Sequence, residues 1–266
     1  MQETLPRPQV ILGLILLGMV LAGVAAFLAA AYIPGIQLHV GELFLIAPAL
    51  IYLLRRKYPL KSALRINHVD KRVLRASAGL GLSFTILTDE LDRLISTFYK
   101  MPAEFEIFIF QILIIDSWLE GILLFLAAVV FAGVIEEMLF RGLLQRALEM
   151  TLTAGRAIFF SALVFALVHL NPWWLIQILL LGMMLGLLAW RCNSIIPGIL
   201  VHSINNGLAL LMLNIKPERL RWYEWQGHVN PLIVLIAAGA AYYGLKSFIR
   251  LTKGAAVPRD PGAQNQ

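Results

Sequence analysis

Charge is scarce in this chain. Asp, Glu, Lys and Arg make up 14% of its 266 residues against 59% hydrophobic, and the mean hydropathy is +0.78. That balance excludes an ordinary soluble domain, in which charged residues approach a quarter. Cysteine is scarcer still: Cys192 stands alone, so neither a disulfide framework within the chain nor a Cys-rich zinc site is available. GxSxG, HExxH, a P-loop and a dinucleotide fingerprint are all missing, which removes the commonest signals for serine hydrolases, zincins and nucleotide-binding enzymes. The formal charge of +6 would suit a nucleic-acid partner only if the basic residues shared a folded surface. They sit between apolar runs instead, so we expect no nucleic acid.

Long apolar runs are what the sequence has in abundance. About 20 such residues, rising about 1.5 Å each, cross about 30 Å of hydrocarbon as a helix, whereas strands would show short alternating segments. The fold class expected is an all-α integral membrane protein, a bundle of about eight transmembrane helices near 9–33, 41–54, 76–95, 117–145, 156–171, 173–190, 195–214 and 230–250. The apolar stretch 104–115 is too short to cross and is read as interfacial or re-entrant. Between the second and third runs, 58–76 mixes basic and apolar residues and is expected to lie on the inner leaflet as an amphipathic helix.

Lys and Arg give the orientation, because they are retained in the cytoplasm. With the N-terminus inside, all of the 22 except Arg93, Lys100, Lys216, Arg219 and Arg221 fall on the cytoplasmic side. Both termini are therefore expected there, with Trp173, Trp174, Trp222, Tyr223 and Trp225 in the outer interfacial belt. No internal repeat is visible. One membrane domain is expected over 1–253, with its motif-bearing core at about 117–214 and a disordered tail at 254–266.

Against this background three polar clusters stand out. "EEMLFR" places Glu136, Glu137 and Arg141 in one apolar span; "FALVH" sets Phe165 four residues before His169; "HSINN" sets His202 four residues before Asn206. Spacing of four puts each pair on one helix face. A charge at a helix centre costs about 2.5–3.5 kcal/mol on insertion scales, so each such group needs a partner or a purpose. Glu137 and Arg141 pair at i, i+4 and serve as a brace, Phe165 reads as packing, and a lone intramembrane His or Asn is often only interhelical glue. Glu136 has no such neighbour. At about 1.5 Å per residue, Glu136 and His169 each lie about 20 Å from the basic ends of their helices, and His202 and Asn206 fall near the same layer. A carboxylate beside a histidine can hold and deprotonate water, while a second histidine and an amide can donate to an oxyanion. Ser161 and Ser203 lie close enough that a serine nucleophile stays open.

The three clusters match, in order, the EExxxR, FxxxH and HxxxN motifs of the CPBP (CAAX-protease and bacteriocin-processing, Abi) family of glutamic-type intramembrane proteases, which the chain resembles over about 120–215. The resemblance implies that Glu136 and His169 position and activate water, that His202 and Asn206 form the oxyanion site, and that Glu137, Arg141 and Phe165 support them. It implies a membrane-associated or lipid-modified peptide or protein as substrate and, given the short chain, a prokaryotic plasma (inner) membrane. It requires no cofactor or metal, although Glu136, His169 and His202 are zinc ligands by type. Two further readings stay open: a proton- or ion-coupled transporter, and a catalytically idle scaffold. The substrate's identity and the oligomeric state are not set by the sequence.

Overall fold

Helices account for nearly all of the chain in the computed structural model, which describes residues 5–33 and 35–254. They are α1 (Pro8–Tyr32), α2 (Gln37–Arg55), α3 (Leu60–Ala63), α4 (Lys71–Phe98), α5 (Ala103–Leu113), α6 (Trp118–Glu149), α7 (Ala154–Val168), α8 (Leu175–Cys192), α9 (Ile196–Leu213) and α10 (Pro231–Leu251). An all-α membrane protein is what these elements build. The tail expected to be disordered lies, beyond Gly254, outside the described residues.

Six of the helices, α1, α2, α6, α8, α9 and α10, are long and apolar enough to cross a membrane. The other two expected spans, α4 and α7, fall short of that measure of length and composition. At 15 residues, α7 rises only about 22 Å, less than the hydrocarbon thickness. In α4 the stretch near its C-terminal end carries Asp89, Glu90, Asp92 and Arg93, more charge than that measure allows. Both helices are nevertheless part of the bundle: α4 packs on α9 and α10, and α7 packs on α8.

The bundle is organised around α6. Ser117 opens it with a capping box, its hydroxyl accepting from Glu120 N at 3.3 Å while Glu120 Oε2 accepts from Ser117 N at 3.1 Å. One side of α6 meets α1 and α2, where Ile11, Ile15, Leu53, Leu139, Leu143 and Leu144 form a core. The other side meets α7, α8 and α9. Two stretches of α6, Phe125–Phe131 and Met138–Leu144, are π-helical, and the two glutamates close the α-helical turn between them. A π turn widens the ladder and releases carbonyls from their usual partners. Neighbouring helices take them up: Asn206 Nδ2 donates to Ala128 O at 2.9 Å, Ser203 Oγ to Val129 O at 2.8 Å, and Ser161 Oγ to Phe140 O at 2.9 Å.

The expected amphipathic helix over 58–76 does not form. Helix covers only the single turn α3 and, from Lys71, the start of α4; between them Arg65 adopts a left-handed φ of 59° and the chain runs without regular structure to Asp70, which caps α4 by accepting from Arg72 N at 2.6 Å. Burial of Ala63, Leu64 and Arg65 breaks the helix, for this segment packs on protein rather than lipid. The missing Cβ of Gly142 lets the Leu64 backbone touch α6, since a Cβ there would lie 2.8 Å from Leu64 O. The interfacial reading of 104–115 agrees with α5, 11 residues with none buried. Of the aromatic residues expected in an interfacial belt, Trp222 and Trp225 are exposed, but Tyr223 is buried and donates to Asp89 Oδ2 at 2.7 Å. Burial first, and then that carboxylate, push its phenol above the usual tyrosine range.

Candidate active site

Four residues of α6 spaced by four, Glu137, Arg141, Gln145 and Glu149, form one buried polar stripe. In such surroundings every charge and amide must find a partner. Arg141 Nη1 donates to Glu137 Oε1 at 2.7 Å and Nη2 to Gly182 O at 3.2 Å. Its guanidinium carbon stands 4.1 Å from the centroid of Phe165, a cation–π contact in a desolvated site. Gln145 Nε2 donates to Gly186 O at 3.0 Å and to Glu149 Oε1 at 2.8 Å. Gly182 and Gly186 let α8 approach this closely, as a Cβ at Gly186 would lie 2.7 Å from Gln145 Oε1.

Glu136 points about 100° away from that stripe. Its side chain is 13% exposed, and Oε2 lies 3.6 Å from His202 Nε2 and 3.9 Å from His169 Nε2. Neither separation is a direct hydrogen bond, and Oε2 has no hydrogen-bond partner among the described residues.

His169 ends α7. Its Nδ1 lies 2.7 Å from Phe165 O; because a carbonyl can only accept, the proton is assigned to Nδ1 and the Nε2 lone pair faces Glu136. His202 is buried on α9 between the two glutamates, with Nδ1 3.3 Å from Glu137 Oε1. Phe165 sets its ring edge-on to both imidazoles, at centroid distances of 4.7 Å to His169 and 5.8 Å to His202. It is thus the wall on which Arg141 and both histidines rest. Gly198, one turn before His202, faces Glu137 so closely that any Cβ would overlap Oε2.

Glu136, His169 and His202 therefore meet, with Glu137, Arg141 and Phe165 around them. Asn206 lies one turn beyond His202 on α9; its bond to Ala128 O commits one amide hydrogen, and its Oδ1 accepts from Asn205 Nδ2 at 3.2 Å. The Ser161 and Ser203 hydroxyls both donate to backbone carbonyls of α6 and not to a base. Among the described residues no group of three or more His, Cys, Asp and Glu is arranged to hold a metal ion.

Two groups on α2 were not legible as part of this region. Glu42 has a buried Oε2 without a hydrogen-bond partner among the described residues and lies within electrostatic reach of Glu136. His39, one turn earlier, has both ring nitrogens buried and unpartnered among those residues, its ring edge-on to Phe131 at 5.7 Å. His39 also lines a cavity of about 190 Å³ shared with Gln111, Asp116, Glu120 and Ala127. The signal was present: a carboxylate in "VGELFLIAPALIYLL" deserves the same suspicion as Glu136. Starting the second span at residue 41 put Glu42 at its rim, whereas α2 begins four residues earlier.

A family model described as type II CAAX prenyl endopeptidase Rce1-like matches residues 117–208, the stretch from the cap of α6 to just past Asn206. The segment is Rce1-like. No curated protein and no solved structure matches the chain. The Rce1-like segment contains all three motif clusters and supplies the activity class: the protein is a peptidase, embedded in a membrane by apolar helices. Glu42 and Arg65 lie outside the Rce1-like segment.

Proposed function

We propose that the protein is a glutamic-type intramembrane endopeptidase that cleaves a membrane-associated or lipid-modified peptide with a water activated by Glu136. The separation of Glu136 Oε2 and His169 Nε2 carries this reading. They are two acceptors 3.9 Å apart, a gap suited to one water that donates a hydrogen to each. In the reaction the water oxygen attacks the scissile carbonyl carbon and its proton passes to Glu136. The carbonyl oxygen, now an oxyanion, receives hydrogen bonds from the second amide hydrogen of Asn206 and from His202 Nε2, the ring carrying a proton on both nitrogens because Nδ1–H is held by Glu137. When the tetrahedral species collapses the C–N bond breaks, and the proton held by Glu136 goes to the leaving amine. Glu137 aims His202 through Nδ1 and Arg141 neutralises Glu137, so the pair supports the site without touching the substrate. No cofactor enters this scheme.

The test is reconstitution in liposomes with a quenched fluorescent peptide carrying a lipid anchor, the products identified by mass spectrometry. Asn206→Ala is expected to lower kcat by about 10²- to 10³-fold with KM nearly unchanged, because its donor acts on charge that develops in the transition state. A defect confined to KM would contradict the role.

The orientation we propose puts both termini and the loop holding Arg55–Arg75 in the cytoplasm of a prokaryotic cell, with 215–229 outside, as the distribution of the 22 Lys and Arg indicates. Single cysteines introduced into a Cys192→Ser background should label from outside intact cells in 215–229 and stay unlabelled near residue 61. Labelling near residue 61 would reverse the orientation.

A further inference from the structure

Arg65 is the most deeply buried charge outside the Rce1-like segment. Its side chain is 0% exposed although it belongs to the basic loop between α2 and α4. It grips Glu149, the last residue of α6, with two parallel bonds, Nη1 to Oε1 at 3.0 Å and Nη2 to Oε2 at 2.7 Å. Nε donates to Asn193 Oδ1 at 3.0 Å, and Arg65 O accepts from Ile195 N at 3.1 Å. Asn67 extends the grip. Its Nδ2 donates to Asn193 O and its own carbonyl accepts from Ser194 Oγ, both at 2.6 Å. One loop therefore ties the C-terminus of α6 to the turn at 193–195 from which α9 starts.

Those two helices carry Glu136 and His202. Glu149 lies 13 residues from Glu136, about 20 Å along the axis, so the loop touches neither working group. It fixes how far α9 is advanced along α6. That axial register decides whether Gly198 sits against Glu137, His202 between the two glutamates, and Asn206 under Ala128 O. From this geometry we infer that Arg65 is a positioning residue for the site, a clamp that sets the register of α9 against α6. The inference rests on the protease reading for its effect on turnover but not for its structural content.

Lys at this position would not replace it. A single ammonium lacks the fork that spans a carboxylate and an amide at once. A hydroxyl or amide contact elsewhere in the loop does not reach Glu149 either, since Asn67 is committed to the 193–194 turn.

The experiment uses the full chain with Cys192→Ser, Val129→Cys and Gly207→Cys. A Cβ at Gly207 lies 3.6 Å from Val129 Cγ1, close enough for a disulfide to report the α6–α9 register. Copper-phenanthroline oxidation measures register, and cleavage of the lipid-anchored peptide, without the paired cysteines, measures turnover per folded molecule. Arg65→Ala should cut cross-linking severalfold and lower kcat by about 10- to 100-fold with KM within about twofold, the range expected of a small misplacement at a distance. Arg65→Lys should fall between. Should Arg65→Ala fail to fold, Asn193→Gly serves instead: it keeps the left-handed turn at φ 45° and removes only the Oδ1 acceptor, and both readouts should drop in the same direction. A lower melting temperature with unchanged cross-linking and unchanged kcat would make Arg65 a plain brace and overturn the inference. A lower kcat with unchanged cross-linking would overturn it as well. Reduced cross-linking in a protein whose unaltered form cuts no peptide would leave the clamp standing and remove the protease reading.

Discussion

Glu136→Gln should give a folded protein that binds peptide and does not cut it. Glutamine keeps the volume and one acceptor oxygen but cannot take a proton from water, so the loss should be in kcat, by about 10³-fold or more, at the upper end of what general-base catalysis supplies. Stability should change little or rise, because Oε2 makes no hydrogen bond within the described protein and a carboxylate that is only 13% exposed is costly to keep charged. Turnover of the lipid-anchored peptide, its binding by fluorescence anisotropy, and thermal unfolding in detergent together check this outcome. Robust turnover in Glu136→Gln, paired with a folded but inactive Glu137→Gln, would show that the roles of the two adjacent glutamates are exchanged.

Arg141→Ala should have the larger effect on folding. Arg141 and Glu137 are 1% and 0% exposed and joined at 2.7 Å, and removing one member of a buried pair costs about 3–5 kcal/mol because the other charge is left uncompensated. Two further contacts go with it, the bond to Gly182 O and the cation–π contact with Phe165, and the carboxylate left uncompensated also faces His202. Against a total stability of about 5–15 kcal/mol, most of the protein should be lost from the membrane fraction or should unfold many degrees earlier. Glu137→Gln should destabilise less, since an amide can still accept from Arg141. The comparison is purified yield and melting temperature for the two variants, and near-normal stability of Arg141→Ala would remove the brace from the scheme.

What was legible in the sequence follows from how membrane helices are specified. Apolar runs mark the spans because lipid demands them, so α1, α2, α6, α8, α9 and α10 lie where hydropathy puts them. The meeting of Glu136, His169 and His202 was legible for a related reason. Polar groups on three apolar helices at a common depth have nowhere to go but toward one another. The runs at 76–95 and 156–171 were legible too, and α4 and α7 form there; what the sequence does not show is their shelter by neighbouring helices, a tertiary fact that lets a helix be short or charged without penalty. Residues 58–76 look amphipathic in one dimension, yet Arg65 turns inward to Glu149, a partner 84 positions away. The π turns of α6 carry no compositional mark at all; Phe125–Phe131 reads like any apolar helix.

Those π turns give α6 a dependence on length rather than on chemistry. A π turn holds one residue more than the α turn it replaces, so deleting any residue of 125–131 would allow the ladder to close again as regular helix. The deletion would leave every motif intact. It would also return the carbonyls of this stretch to the helical ladder, withdrawing those of Ala128 and Val129 from Asn206 and Ser203. A conservative substitution in this stretch is expected to cost little, whereas a single-codon deletion is expected to remove both of those contacts at once. In this helix the count of residues between the cap at Ser117 and Glu136 sets which backbone carbonyls are free to accept from α9.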